Sequence, residues 1–124
     1  MKIYINGASC LSTQSTFPTP LFEGFLPAQP DEVLYVQEPS YKDYIAPNAS
    51  RRMAKGVKMS IATATEALRE AHITTPEAII VGTGMGCVQD TEKFLKAILD
   101  NHEQHLTPTA FIQSTHNTVA GQLA

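Results

Sequence analysis

The sequence predicts an α/β layered fold, and three observations carry that expectation. Lys2 to Ala8 places Ile3 and Ile5 on one side and Tyr4 on the other, the period-two pattern of a strand. From Ser50 onward, apolar residues recur at steps of three and four, which marks a helix. Ala78-Ile79-Ile80-Val81 is wholly apolar, and a glycine turn and a second helical pattern follow it directly. An apolar run without alternation suits a central strand covered on both faces. Strands alternating with helices imply a sheet between helix layers. At 124 residues the chain is one domain at most, against ~150 residues for a typical domain.

After the first strand, Asn6-Gly7 offers a turn or a bulge. Residues 13–48 read as an irregular insertion. Six of the eight prolines fall within residues 1–50, and proline fixes φ and removes a donor, so no long regular element fits there. The aromatic residues Phe17, Phe22, Phe25, Tyr35, Tyr41 and Tyr44 make the segment too apolar for disorder and suggest that it packs on the rest. Glu32 to Val36 is a second candidate strand.

Ser50 is a favoured helix N-cap, because its hydroxyl can accept from an orphan backbone N–H. Met53, Val57, Ile61, Ala64, Leu68 and Ala71 then form one stripe, and Thr74-Thr75-Pro76 ends the helix. The second helix starts near Asp90 and directs Phe94, Leu95, Ile98 and Leu99 inward, with Asn101 at its end. Phe111-Ile112 reads as a short extended piece. Asn117 to Ala124 reads as the first turns of another helix.

The composition excludes several functions. A net charge of −3 argues against a general nucleic-acid binder, which needs a positive excess against phosphates. No apolar run approaches the ~18 residues of a membrane span. The N-terminus lacks a secretory signal. Two cysteines, Cys10 and Cys87, make no disulfide framework, so a reduced cytoplasmic protein is expected.

Gly82-Thr83-Gly84-Met85-Gly86-Cys87 either makes a tight crossover or cradles a phosphate at a helix start. Its G-x-G-x-G spacing departs from the dinucleotide pattern, and no glycine-lysine-threonine loop is present. Cys87 precedes a helix, where a thiolate could be stabilised, but no base is placed beside it, and a small packed hydrophobe is the plainer reading. His72, His102 and His105 sit at helix ends, where a cation suits the dipole. His116 lies in the turn Ser114-Thr115-His116-Asn117, as a hydrogen-bonded turn residue or as part of a pocket. Histidines without clustered cysteines or carboxylates predict no metal site, and no cofactor is expected.

Arg51-Arg52-Met53, Gly82 to Gly86, Phe111-Ile112-Gln113-Ser114-Thr115 and Asn117 to Ala124 occur in that order. Together, with the opening strand through Ala8, they resemble the N-terminal region of β-ketoacyl-[acyl-carrier-protein] synthases, the condensing enzymes of the thiolase fold. The resemblance runs from Lys2 to Ala124, with residues 13–48 contributing little. It implies the N-terminal half of a thiolase-like layered fold, here incomplete. It also implies part of an enzyme that condenses an acyl thioester with malonyl carrier protein, in fatty acid, polyketide or aryl-polyene type synthesis. The cysteine and two histidines that carry that reaction are expected beyond this segment, so no catalytic residue is assigned and the segment alone is expected to be inactive. An incomplete layered fold is expected to expose surface and to aggregate, dimerise unusually or swap.

The resemblance further implies an acyl pocket formed by Met85, Phe111, Ile112, Thr115 and His116. Met85 stands where a residue gates the acyl tail, and Phe111, Ile112 and Thr115 reach a partner's pocket across a dimer. Gln113 departs from the proline often found there, and one residue is missing before Asn117. Arg51 and Arg52 match positions that dock the acidic acyl carrier protein. With Lys55 and Lys58 they form a basic group, and positions 51, 55 and 58 share a helix face; a solvated face is the alternative. The expected partners are acyl carrier protein and a second synthase copy, as homodimer or heterodimer, with no nucleic acid and no membrane. A non-catalytic chain-length factor or a carrier-protein-binding module is the alternative function.

Overall fold

A computed structural model describes residues 1–18, 27 and 31–124. A 3-10 turn (Tyr41–Asp43) leads into α1 (Pro47–Ser50), α2 (Lys55–Glu70), α3 (Val88–Asp100), α4 (Pro108–Ser114) and α5 (Thr118–Leu123). Two of the aromatic residues expected to anchor the proline-rich segment, Phe22 and Phe25, lie outside the described residues.

The long helix forms where apolar spacing predicts, but it begins at Lys55, and Ser50 closes α1 instead. Ala54 stands at the N-cap and has no side-chain oxygen to cap with. Its own backbone N–H donates instead to Gln113 Oε1 on α4, at 3.1 Å. A residue from a distant helix thereby satisfies a donor at the buried start of α2.

At the other end, Ile73 N–H donates to the Leu68 carbonyl (3.0 Å) and His72 N–H to that of Arg69 (3.2 Å), with His72 at φ 56°. This is a Schellman closure with histidine in the left-handed position usually held by glycine. Helix α3 ends the same way. Glu103 N–H donates to the Ile98 carbonyl (2.9 Å), His102 N–H to that of Leu99 (3.4 Å), and His102 lies at φ 48°.

The buried core is small. Its main cluster is Ala54 at the N-cap of α2, Val57 of α2, Cys87 before α3 and Val119 of α5, with Met53, Ile61, Val81 and Leu123 packed around them, and Ile45 and Ala62 are buried besides. Helix α3 turns Phe94 and Ile98 toward the protein. Leu95 and Leu99, expected to point inward, are exposed. In the proline-rich segment, Phe17 meets Tyr44 edge-on at 5.9 Å, and Tyr44 OH donates to Glu66 of α2 at 2.8 Å. Packing of this segment on the rest is thus seen for Tyr44, with Phe17 against Tyr44 inside the segment, whereas Tyr35 is exposed.

The α/β layered expectation is overturned: the described residues contain helices and no strand or sheet. Residues 2–8, 32–36 and 78–81 lack regular structure. A strand needs a neighbour for its N–H and C=O groups, and none of these three segments has a ladder partner among the described residues. One backbone bond, Gln37 N–H to the Ser12 carbonyl at 2.9 Å, crosses the N-terminal half without starting a ladder. Ile3, Ile5, Val33 and Ile80 are correspondingly exposed. Phe111-Ile112 is likewise not extended but lies within α4. Pro108 at the first turn supplies a preset φ that favours that helix.

The N-terminal segment is fixed at one point. Ala8 N–H donates to Glu70 Oε2 at 2.7 Å. Gly7 lies so close to α2 that an added Cβ would come 2.2 Å from the Ala67 carbonyl oxygen and 2.9 Å from the Ala71 nitrogen. Asn6-Gly7 is therefore a close crossing of helix backbone, where the sequence predicts a turn or a bulge. No described helix is long and apolar enough to cross a membrane.

Both atoms facing Gly7 belong to the backbone and cannot rotate away. Gly7→Ala is expected to destabilise the protein by about 1–3 kcal/mol, as overpacking does. A urea-unfolding midpoint unchanged by the substitution would contradict this crossing.

Candidate functional site

The glycine turn connects Val81, at the edge of the core, to the start of α3. Its three glycines have different roles. A Cβ on Gly82 or Gly84 would meet nothing within 4 Å. Gly86 takes φ +59°, a conformation that a side chain disfavours. Its N–H donates to Thr83 Oγ1 at 3.0 Å, which closes the turn. Met85 projects from this loop and is 71% exposed.

The turn between α4 and α5 lies against it. The His116 ring is 3.6 Å from the place where a Cβ on Gly86 would stand. The structure thus brings His116 to the glycine turn, thirty positions away in sequence. Hydroxyls hold the α4–α5 corner. Thr115 Oγ1 donates to the Ile112 carbonyl at 2.9 Å and lies 2.9 Å from Thr118 Oγ1, while the Thr118 hydroxyl also reaches the Ile112 carbonyl. Thr91 Oγ1 donates to the Ser114 carbonyl at 3.2 Å, which ties the corner to α3.

Phe111 packs its ring against Phe94 of α3 at 5.7 Å, yet it and Ile112 remain exposed on α4. Thr115 is engaged in the corner itself. Of the five residues expected to form an acyl pocket, His116 meets the loop that carries Met85. Phe111 and Ile112 present an apolar surface on the neighbouring helix.

Cys87 belongs to the core. Burial, and secondarily the Asp90 carboxylate, push its thiol above the usual range. A thiol held neutral is a poor nucleophile, and Cys87 packs with Ala54, Val57 and Val119. Among the described residues, no three His, Cys, Asp or Glu side chains converge where they could hold a metal ion. His105 shares the left-handed conformation of its neighbours, at φ 54°.

The basic group divides in two. Lys55 Nζ lies 2.6 Å from Glu38 Oε1, and Lys58 Nζ stands 5.4 Å over the Tyr41 ring. Tyr41 OH donates to Glu38 Oε2 at 2.9 Å. The Lys55 bond holds the Glu38 carboxyl below its usual value. Burial, reinforced by Glu38, pushes the Tyr41 hydroxyl far above its own. Arg51 and Arg52 are exposed and make no ion pair among the described residues. They precede α2, in the turn after α1, so positions 51, 55 and 58 do not share one continuous helix face.

Sequence reasoning missed three contributors. Gln113 registered only as a departure from proline, but its side chain is buried and holds the start of α2. Glu38 and Tyr41 carried no sequence signal for their role in engaging the two lysines.

Residues 26–124 match the family model described as β-ketoacyl synthase, N-terminal domain. No curated protein matches the sequence.

Removal of the Gln113 amide leaves the Ala54 N–H buried and unsatisfied. Gln113→Leu is expected to lower stability by about 1–3 kcal/mol. Hydrogen exchange at Ala54 should rise with it; unchanged exchange and stability would mean that water replaces the amide.

Proposed function

The chain belongs to the β-ketoacyl synthase family, as its N-terminal domain, and on that premise we propose that it supplies the acyl-pocket wall and dimer interface of a 3-oxoacyl-[acyl-carrier-protein] synthase. The reaction is decarboxylative condensation of an acyl thioester with malonyl carrier protein, in fatty acid, polyketide or aryl-polyene type synthesis. In this reading the nucleophilic cysteine and the two histidines lie outside these 124 residues, and the protein works in the cytoplasm as a homodimer or as a heterodimer with a related synthase. The meeting of His116 with the glycine turn that carries Met85 supports it most directly. Met85 is long, flexible and apolar, which suits a movable stop for an acyl tail. Phe111 and Ile112 add exposed apolar area from α4, suited to burial against a second subunit. Thr115 holds the corner on which His116 is mounted.

Arg51 and Arg52 form the docking point for acyl carrier protein. Their exposure and their lack of an ion pair among the described residues support this, since Lys55 and Lys58 are already engaged. A positive pair that faces solvent accelerates encounter with an acidic partner. The same surface would serve a non-catalytic chain-length factor or a carrier-binding module.

Two measurements test the reading. Met85→Gly, in the full-length synthase that contains this region, is expected to shift products toward longer acyl groups. An unchanged product distribution would remove Met85 as the gate. Arg51→Glu/Arg52→Glu is expected to weaken carrier-protein binding by about tenfold, mainly through slower association. Equal association rates for variant and parent would remove the docking face.

A further inference from the structure

We propose that Asn6-Gly7 is a site of spontaneous modification, at which Asn6 converts to aspartate and isoaspartate. The reaction needs an asparagine side chain open to water, a following residue without a Cβ, and a backbone N–H free to attack. Asn6 is exposed. Gly7 has no Cβ, and its N–H makes no hydrogen bond among the described residues. Residues 1–10 form no helix or strand, so no ladder holds the amide in place. Asn48, Asn101 and Asn117 are followed by Ala, His and Thr, whose side chains hinder the same attack. Asn6 alone among the asparagines combines the three conditions.

The bonds balance without a cofactor. The Gly7 nitrogen bonds to the amide carbon of the Asn6 side chain, and the amide C–N bond of that group breaks and releases ammonia. Water then opens the resulting five-membered imide at either carbonyl. Opening at one gives aspartate; opening at the other gives isoaspartate, with the backbone routed through the former side chain. The net change is one water consumed and one ammonia released.

The site has a structural consequence. Gly7 crosses the α2 backbone, and Ala8 N–H holds Glu70 at the C-terminal end of that helix. Either product adds a carboxylate two residues from that bond. A helix C-terminus already carries negative partial charge, so a further anion there is unfavourable. Isoaspartate also lengthens the backbone next to a crossing that admits no Cβ. Modification therefore loosens the N-terminal segment from α2.

The test incubates the intact protein at mildly alkaline pH and follows each asparagine by peptide mass mapping, with isoaspartate methyltransferase labelling as a second readout. Asn6 is expected to acquire acid and isoaspartate well before Asn48, Asn101 or Asn117. Its rate in the folded protein should lie within about tenfold of its rate in denaturing urea, as for a site that structure does not protect. Asn6→Gln should abolish the labelling. A folded-state rate slowed by more than that factor, or Asn6 no faster than Asn117, would overturn the proposal.

Discussion

The fold depends on the contact of three helix ends around Val57. Val57 is fully buried, and Ala54, Cys87 and Val119 enclose it. Burial of one such side chain contributes roughly 1.5–3 kcal/mol. That is modest, so the polar bonds around the cluster carry weight. Gln113 brings α4 onto the start of α2, and Thr91 ties α3 to the end of α4. Each bond joins segments that the small apolar cluster alone would hold weakly. The same cluster sets the glycine turn, because Val81 and Cys87 enter the core on either side of it. The loop between them must reverse within a few residues, and Gly86 supplies the left-handed step that permits this.

Helical elements were legible in the sequence because their signal is local. Val57, Ile61 and Leu68 recur at helical spacing whatever lies opposite them, and α2 forms accordingly. Phe94 and Ile98 identify the inward side of α3 by the same logic. Leu95 and Leu99 show its limit. Apolar character states that burial is favourable, but the side that is covered depends on a neighbour that periodicity does not name. The strand expectations failed for a related reason. Ile3, Ile5 and the run at residues 78–81 have strand chemistry, yet a strand exists only through hydrogen bonds to another segment. An open cleft of about 1110 Å³ lies between Gly7, the second half of α2, residues 74–81 and the end of α5. The 78–81 run lines that space unpaired, and of the N-terminal segment Gly7 reaches it.

The candidate site was half legible. The glycine spacing identified an unusual loop, but only Gly86 needs its freedom; Gly82 and Gly84 have room for side chains. Residue type could not rank the three, since the requirement comes from φ at Gly86 alone. Phe111 and Ile112 read as an extended pair but lie in α4, because their β-forming character obscures the helix-starting Pro108 three positions before Phe111. Gln113 was illegible in principle. Its partner is a backbone N–H 59 residues away, and nothing near either position signals the bond.

Charge shows how pairing narrows a surface. Four cations within eight positions read as one patch in the sequence. In the structure Glu38 takes Lys55, and the Tyr41 ring takes Lys58. Because Tyr41 OH also donates to Glu38, the four groups form one unit, in which each cation faces negative charge or the negative face of a ring. Glu38 offsets the charge of Lys55, while the neutral ring orients Lys58 and leaves its charge in place. Arg51 and Arg52 retain theirs, and the break between α1 and α2 sets them apart from the lysine pair. The positive potential of this region therefore comes from Arg51, Arg52 and Lys58, and of these the two arginines are exposed and free of an ion pair among the described residues. Guanidinium is the more weakly hydrated and better shaped of the two for gripping a carboxylate or a phosphate in a forked contact.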